Sequence, residues 1–472
     1  MDRHRLKSAV LMLAIAAWFL GHTWKGLAVY FQEDDLMNMY QAWVLPLYKL
    51  VLANLTPFTS VYRPLGAGFY RLLYHSAGLH PLPFRIVAYG LMMLNVWLIF
   101  RLARFLTGST EIAILSALLG SFHNRLMDIY LNDGTIYDVL CSVFYYLSLC
   151  YYISARAKYG ALSWRRLAIL CAFYTLALNS KEMACTLPVV LLAYEWIFHR
   201  TPLYRQHAVW TTAIITAVAI KMKTGPSSSF AGVPDYALHF SLHQFLHTTK
   251  LFLDQLFFLP EGSLNTTKVI AILAALWAIA LVTRQKPLLL CAALITLSPL
   301  PVNFITYRGF FVMYLPLAGW AIYLSSLLVA AREWLWNTVW KRPPLPKNTW
   351  EPERVGLFLI AAYVLFNIQS HDSYRSFDRI DPSQARIRAL KEDLLRVRPS
   401  LAGNGKVLFL RDGFQPEDWD PLYIVRLAYR DPGIVVDRAK NMRAPLRPGE
   451  YNLVLDYCGQ RYTMGACQPG AQ

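Results

Sequence analysis

Three consecutive acids, Glu33-Asp34-Asp35, follow directly on the first long apolar stretch of the chain. A carboxylate beside a low-dielectric layer is costly to keep charged, so acids retained there tend to bind a metal, a proton or a substrate. A single acid satisfies the open N–H groups and the dipole at a helix start, and three in a row exceed that need. Asp34 and Asp35 are therefore read as the catalytic carboxylates, sharing the roles of general base and metal ligand, with Glu33 as a further ligand. A second polar loop opens with Phe122-His123-Asn124-Arg125-Leu126-Met127-Asp128 and closes with Asn132-Asp133-Gly134. His123 and Asp128 carry donors that divalent ions such as Mg or Mn accept. Asn132-Asp133-Gly134 reads better as a plain polar turn.

Cations stand in similar positions. Asn179-Ser180-Lys181-Glu182, running into Thr186-Leu187-Pro188, lies between two apolar stretches. A solvated helix corner would explain it, yet the apolar flanks bring Lys181 and Glu182 close to a membrane core, where a charge needs a partner. Tyr307-Arg308-Gly309 opens another apolar stretch. An Arg there snorkels without any function, but its planar fork also fits a phosphate in a way that Lys cannot copy. Arg63, in Tyr62-Arg63-Pro64, is a further phosphate contact. Arg63, Lys181, Glu182 and Arg308 are thus the expected substrate-binding residues. His243 and His247 would share one helix face, and a ligand role for them carries less weight.

The elements that must hold these residues are apolar helices. Of 472 residues, 56% are apolar, and the mean hydropathy is +0.33. Stretches long enough to cross a bilayer as helix number roughly eleven: 8–29, 86–106, 110–122, 135–155, 167–180, 183–198, 208–222, 267–283, 287–303, 309–330 and 355–370. The first has a basic start (Arg3, Arg5, Lys7) but no small-x-small exit, so it is read as a retained span. The net charge of +17 would point to nucleic acid in a soluble protein; here the Lys and Arg residues follow the rule that short cytoplasmic loops are basic. With the N-terminus cytoplasmic, six basic groups fall inside: Arg3 to Lys7, Arg101/Arg104, Arg156 to Arg166, Arg200/Arg205, Arg284/Lys286 and 332–354. Glu33-Asp34-Asp35 then faces outward, and so does a tail from about 371.

Residues 1–370 form the expected membrane domain and 371–472 an extracytoplasmic domain. The first outer loop, about 30–85, holds amphipathic stretches at 37–52 and 69–79 that read as surface helices. The third, 224–264, is Ser/Gly/Pro-rich at its start. In the tail, 385–395 reads as an amphipathic helix, 407–410, 434–437 and 451–455 as strands and 422–428 as a helix, which makes a small α/β domain. Five of the seven cysteines lie in or at apolar stretches and read as small core residues. Cys458 and Cys467 pair if their compartment is oxidising.

One chemistry accounts for acids and cations together at a membrane edge. A sugar carried on a lipid phosphate has a good leaving group, so cations that neutralise the growing phosphate charge replace a general acid. A carboxylate serves as base for the acceptor hydroxyl, and direct displacement inverts the anomeric centre. In these residues the chain, over about 1–330, resembles the GT-C superfamily of membrane glycosyltransferases, nearest to the protein O-mannosyltransferases, the cadherin-directed ones and their bacterial homologues. The resemblance rests on Glu33-Asp34-Asp35, the His123 to Asp128 loop, Ser180-Lys181-Glu182 with Thr186-Leu187-Pro188, and Arg308 with Tyr314-Leu315-Pro316-Leu317. It implies a catalytic carboxylate at Asp34 or Asp35, often near a divalent ion, phosphate recognition by Lys181 and Arg308, and a polyprenyl- or dolichyl-phosphate sugar donor. The tail lacks the tetratricopeptide repeats of the cadherin-directed members, so a protein or a glycan acceptor stays open. The expected setting is a bacterial inner membrane, with membrane lipids as partners and the tail periplasmic. The rival reading is a transporter or flippase, which would place charges along a path through several spans; a non-catalytic assembly protein is a third.

Overall fold

The computed structural model describes residues 3–56, 61–223, 236–343, 345, 352–372, 383–442 and 447–467. The chain opens with helix α1 (Arg3–Thr23), and the first polar loop folds into three short helices, α2 (Glu33–Val44), α3 (Leu47–Leu55) and α4 (Pro64–Ala77). The stretch expected as one surface helix over 37–52 is broken by Pro46, which lacks the N–H needed to continue the helix. The next helix begins earlier than expected, because Pro64 at its first turn fixes a helical φ without wasting a donor.

The body follows: α5 (Pro81–Thr107), α6 (Thr110–Ser121), the short α7 (Met127–Leu131), α8 (Ile136–Tyr159), α9 (Trp164–Ser180), α10 (Leu187–Tyr194) and α11 (His207–Lys223). After it come α12 (Leu242–Leu256), α13 (Thr266–Thr283), α14 (Lys286–Leu297), the short α15 (Leu300–Asn303), α16 (Leu317–Trp334) and α17 (Pro352–His371). Each of the eleven expected apolar stretches contains a helix. Among the described residues, five helical segments are long and apolar enough to cross a bilayer by length and composition: Leu6–Ala28, Pro81–Thr107, Asp133–Tyr159, Thr266–Thr283 and Lys286–Asn303. The Ser/Gly/Pro-rich start of the third loop lies outside the described residues.

Small residues let the helices approach closely. A methyl at Gly319 of α16 would lie 2.9 Å from Ile295 and 3.3 Å from the Cys291 carbonyl of α14. Polar groups gather at the two ends of this body. At one end Glu111, at the start of α6, pairs with Arg332 of α16 and, at 3.2 Å, with Arg354 of α17. At the same end Glu195 takes the fork of Arg156 at 2.9 and 3.1 Å and the Tyr152 hydroxyl at 2.8 Å. At the opposite end Arg125 grips Asp372, just past α17, at 2.7 and 2.6 Å.

The C-terminal unit is the expected small α/β domain, with α18 (Ser383–Val397), β1 (Lys406–Phe409), α19 (Asp420–Tyr429), β2 (Val435–Arg438), β3 (Leu453–Cys458) and β4 (Arg461–Met464). The strand order is β2-β1-β3-β4, with β1 parallel to β2 and β3, and β4 antiparallel to β3. The edge strand β4 was not expected from the sequence. Leu390, Leu394, Phe409, Ile424, Leu455 and Tyr462 are buried in its core. Cys458 and Cys467 form a disulfide. The domain docks through α19 onto the first-loop helices. The Tyr74 hydroxyl donates to the Leu427 carbonyl at 2.6 Å, Arg426 donates to the Tyr40 hydroxyl at 2.9 Å, and the Tyr40 and Tyr423 rings lie 5.4 Å apart.

Candidate active site

The three acids occupy the first turn of α2, and the turn separates their roles. Asp35 is fully buried. Its carboxylate closes a capping box by accepting the Gln32 N–H at 2.9 Å, and the Tyr70 hydroxyl donates to it at 3.1 Å. Burial, reinforced by the Asp133 carboxylate and opposed by Arg85, pushes its pKa up to about 7. Asp133 itself meets Arg85 at 3.3 Å, with both side chains 1% exposed, and Arg85 also donates to the Tyr30 carbonyl at 3.2 Å. Glu33 and Asp34, in contrast, are exposed. Asp34 rests on the Gly134 turn, where a methyl would stand 3.1 Å from the Asp34 Cβ. Access decides between the two aspartates: a base must reach the proton it takes before its pKa matters. That assigns the open position to Asp34 and leaves Asp35 to cap α2.

The cations lie on the same end. Arg63 donates to Glu182 through Nη2 at 2.8 Å and Nε at 3.3 Å, and its guanidinium lies 4.6 Å over the Tyr62 ring and 5.2 Å over the Tyr137 ring. Lys181 caps the end of α9, is buried, and binds Asp138 at 2.6 Å, with its ammonium 4.9 Å over the Phe311 ring. The Tyr137 ring joins the acidic and basic parts, 6.4 Å from the Tyr70 ring that serves Asp35 and 6.1 Å from Tyr62. It needs Gly66: a methyl there would sit 2.0 Å from the ring. Arg308 is exposed and lies 4.8 Å over the Tyr236 ring. Asp128 stands near the next residue, 4.0 Å from where a methyl on Gly309 would be.

The expected metal set does not assemble. Among the described residues, no three ligand atoms drawn from Glu33, Asp35, His123 and Asp128 come within 4.8 Å of one another; the triad that does is Asp456, Cys458 and Cys467, whose cysteines are already joined. His123 also has both ring nitrogens engaged. Nε2 meets the Leu256 carbonyl at 3.1 Å, and Nδ1 accepts the Arg125 N–H at 3.2 Å. Burial lowers its pKa to about 4, and the ring stacks on Phe258 at 4.3 Å. The ring is thus wedged in the loop with both nitrogens already engaged. His243 and His247 stack on exposed turns of α12, with ring centroids 6.2 Å apart.

Sequence reasoning passed over Asp138, Tyr137 and Arg85 and set Asp133 aside as a turn. Asp138 did carry a signal: it is an acid one turn inside an apolar stretch. Arg85 and Tyr137 carried none, because their partners come from loops distant in sequence.

A family model described as dolichyl-phosphate-mannose-protein mannosyltransferase matches residues 63–222, which include Arg63, Asp133, Asp138, Lys181 and Glu182. No curated protein sequence matches the chain. Among solved structures, ArnT from Cupriavidus metallidurans bound to undecaprenyl phosphate aligns over 95% of this chain and 93% of its own, with 13% identity and a TM-score of 0.53. The same protein in its apo state aligns over 91% and 85%, with 12% identity and a TM-score of 0.47. The first of these likenesses speaks for a shared fold, and the family match for the enzyme class. Residues 63–222 thus resemble a family of lipid-phosphate-dependent mannosyltransferases, and the chain as a whole shares the fold of ArnT.

Proposed function

We propose that the protein transfers a sugar from a polyprenyl-phosphate or dolichyl-phosphate donor to a hydroxyl of a protein or glycan acceptor on the extracytoplasmic face, with inversion. Asp34 takes the acceptor's proton. The acceptor oxygen forms its bond to the anomeric carbon as the bond from that carbon to the phosphate oxygen breaks. The electron pair stays on the phosphate, where Arg308 and Arg63 offset the added charge, while Lys181 remains paired with Asp138 beneath them. Asp35, with Asp133 and Arg85 behind it, holds the start of α2 so that Asp34 keeps its aim. The helical body sits among membrane lipids, the N-terminus is cytoplasmic, and the C-terminal domain stands over the first loop in a periplasm, where its α19 contacts select or orient the acceptor.

One observation carries this reading: Asp34 and Asp35 of α2 and the Arg63–Glu182 pair meet around the Tyr137 ring, although they come from distant parts of the sequence. The lipid bound to the ArnT relative supports the donor class. The test uses full-length protein in proteoliposomes carrying a radiolabelled polyprenyl-phosphate sugar. Release or transfer of label by the wild type and its loss in Asp34→Asn are expected; equal turnover by Asp34→Asn, Asp35→Asn and the double variant would end the proposal.

A further inference from the structure

Four charges at the centre of this site cancel. Arg63 faces Glu182, Lys181 faces Asp138, and each pair lies in the field of the other. A neutral quartet has little attraction for an incoming anion. Either cation can serve a phosphate only after its own carboxylate moves away.

The two pairs are unequal in what moving costs. Lys181 and Asp138 are 8% and 5% exposed. Parting them would strand two charges away from water, which is strongly unfavourable. Glu182 is 31% exposed against 11% for Arg63. It follows Lys181 at the first position of a short helical turn, Glu182–Thr186, so its carboxylate has water within reach and a rotation away from Arg63 leaves it solvated.

Arg63 is held in place independently of Glu182. Its backbone is left-handed, with φ 41° and ψ 61°, a conformation that non-glycine residues adopt only where their surroundings hold them in it. Pro64 behind it, starting α4, and the Tyr62 and Tyr137 rings around its guanidinium keep it there. The cation therefore stays aimed when its partner leaves, and two oxygens of a phosphate offer the guanidinium fork the same bidentate match that the carboxylate gives.

Building on the donor reading above, we infer that Glu182 is a resident counter-anion in the phosphate seat of Arg63, and that a lipid phosphate binds by exchanging with it. Glu182 thus sets the strength and selectivity of donor capture, while Lys181 and Asp138 stay paired as the floor of the seat. A seat already filled lowers apparent affinity by the fraction of time it is open. Glu182 excludes weak anions and is displaced by a ligand whose lipid tail adds its own binding energy.

The experiment is a titration of full-length protein in nanodiscs with undecaprenyl phosphate, read by intrinsic tryptophan fluorescence. Glu182→Gln keeps the shape and removes the competing charge, so it should bind about tenfold more tightly, a difference of about 1.4 kcal/mol. Its donor KM should fall in step. Glu182→Asp, with the charge on a shorter arm, should fall between the two, and it preserves the test if Glu182→Gln folds poorly. Binding by Glu182→Gln equal to or weaker than wild type, or by Glu182→Asp weaker than wild type, would overturn the exchange. No saturable binding to the wild type would overturn the donor reading beneath it instead.

Discussion

Both ends of the helical body are tied by buried ion pairs, yet the two sets are built to different rules. At the Glu111 end the two buried acids are enclosed: Glu111 lies between Arg332 and Arg354, and Glu195 holds a forked Arg156 and a tyrosine hydroxyl. At the Asp34 end two buried acids, Asp35 and Asp133, lean on one Arg85. There Glu182 is partly open to water, and Asp34 and Glu33 are exposed. The first arrangement is finished by folding. The second leaves one carboxylate open to a substrate and one cation able to change partners. A charged cluster is thus structural or working according to what remains exchangeable in it, since both kinds contain the same residue types.

That contrast can be broken by substitution. Asp34→Asn should lower transfer between about a hundredfold and ten-thousandfold, the usual range for a lost general base, while the melting temperature stays put; a drop in stability instead would make Asp34 a second Glu111. Glu111→Gln should do the reverse. Removing one member of a buried cluster costs about 3–5 kcal/mol, read in thermal unfolding, whereas the folded fraction should turn over normally. Slower turnover at full stability would erase the distinction between the ends.

Asp35 sharpens the comparison through pH. Its folded pKa, about 7, lies above the ordinary 3.8, so the folded state holds the proton more tightly than the unfolded chain. That contribution is complete below about pH 4 and disappears as pH rises through 7. Asp35→Asn cannot lose the proton, so its stability relative to wild type should improve between pH 4 and 8. A difference that stays flat would place Asp35 outside the acidic pair. The smallest effect belongs to the docked domain: Arg426→Ala removes the hydrogen bond to Tyr40 and should cost about 1 kcal/mol, with acceptor KM rising more than donor KM. Equal changes in both would make this contact a plain strut.

Much of this was legible in the sequence, and the limits have physical causes. Apolar runs announced the helices because crossing or packing against lipid demands length and hydrophobicity together. Strands at 407–410 and 451–455 were legible from their β-branched and aromatic runs, whereas β4, Arg-Tyr-Thr-Met, is too short and polar to signal itself. Glu33-Asp34-Asp35 was legible as an acidic cluster at the end of an apolar stretch, but the division between its members was hidden. Asp35 is buried by Tyr70, 35 residues on. His123 looked like a ligand because the Leu256 carbonyl that occupies it lies 133 residues away. Lys181 looked like an open phosphate hook until Asp138 was placed against it. Residue types declare what chemistry is available; only the folded neighbours declare how much of it is already used.

The grip of Arg125 on Asp372 joins residues 247 positions apart. It pins the second polar loop, with His123 and Asp128 in it, to the end of the last helix of the body. A ribosome must therefore deliver α17 before that loop can be locked. Truncation upstream of 372 removes this fastening, so the second loop should be cut faster than in the full chain under limited proteolysis.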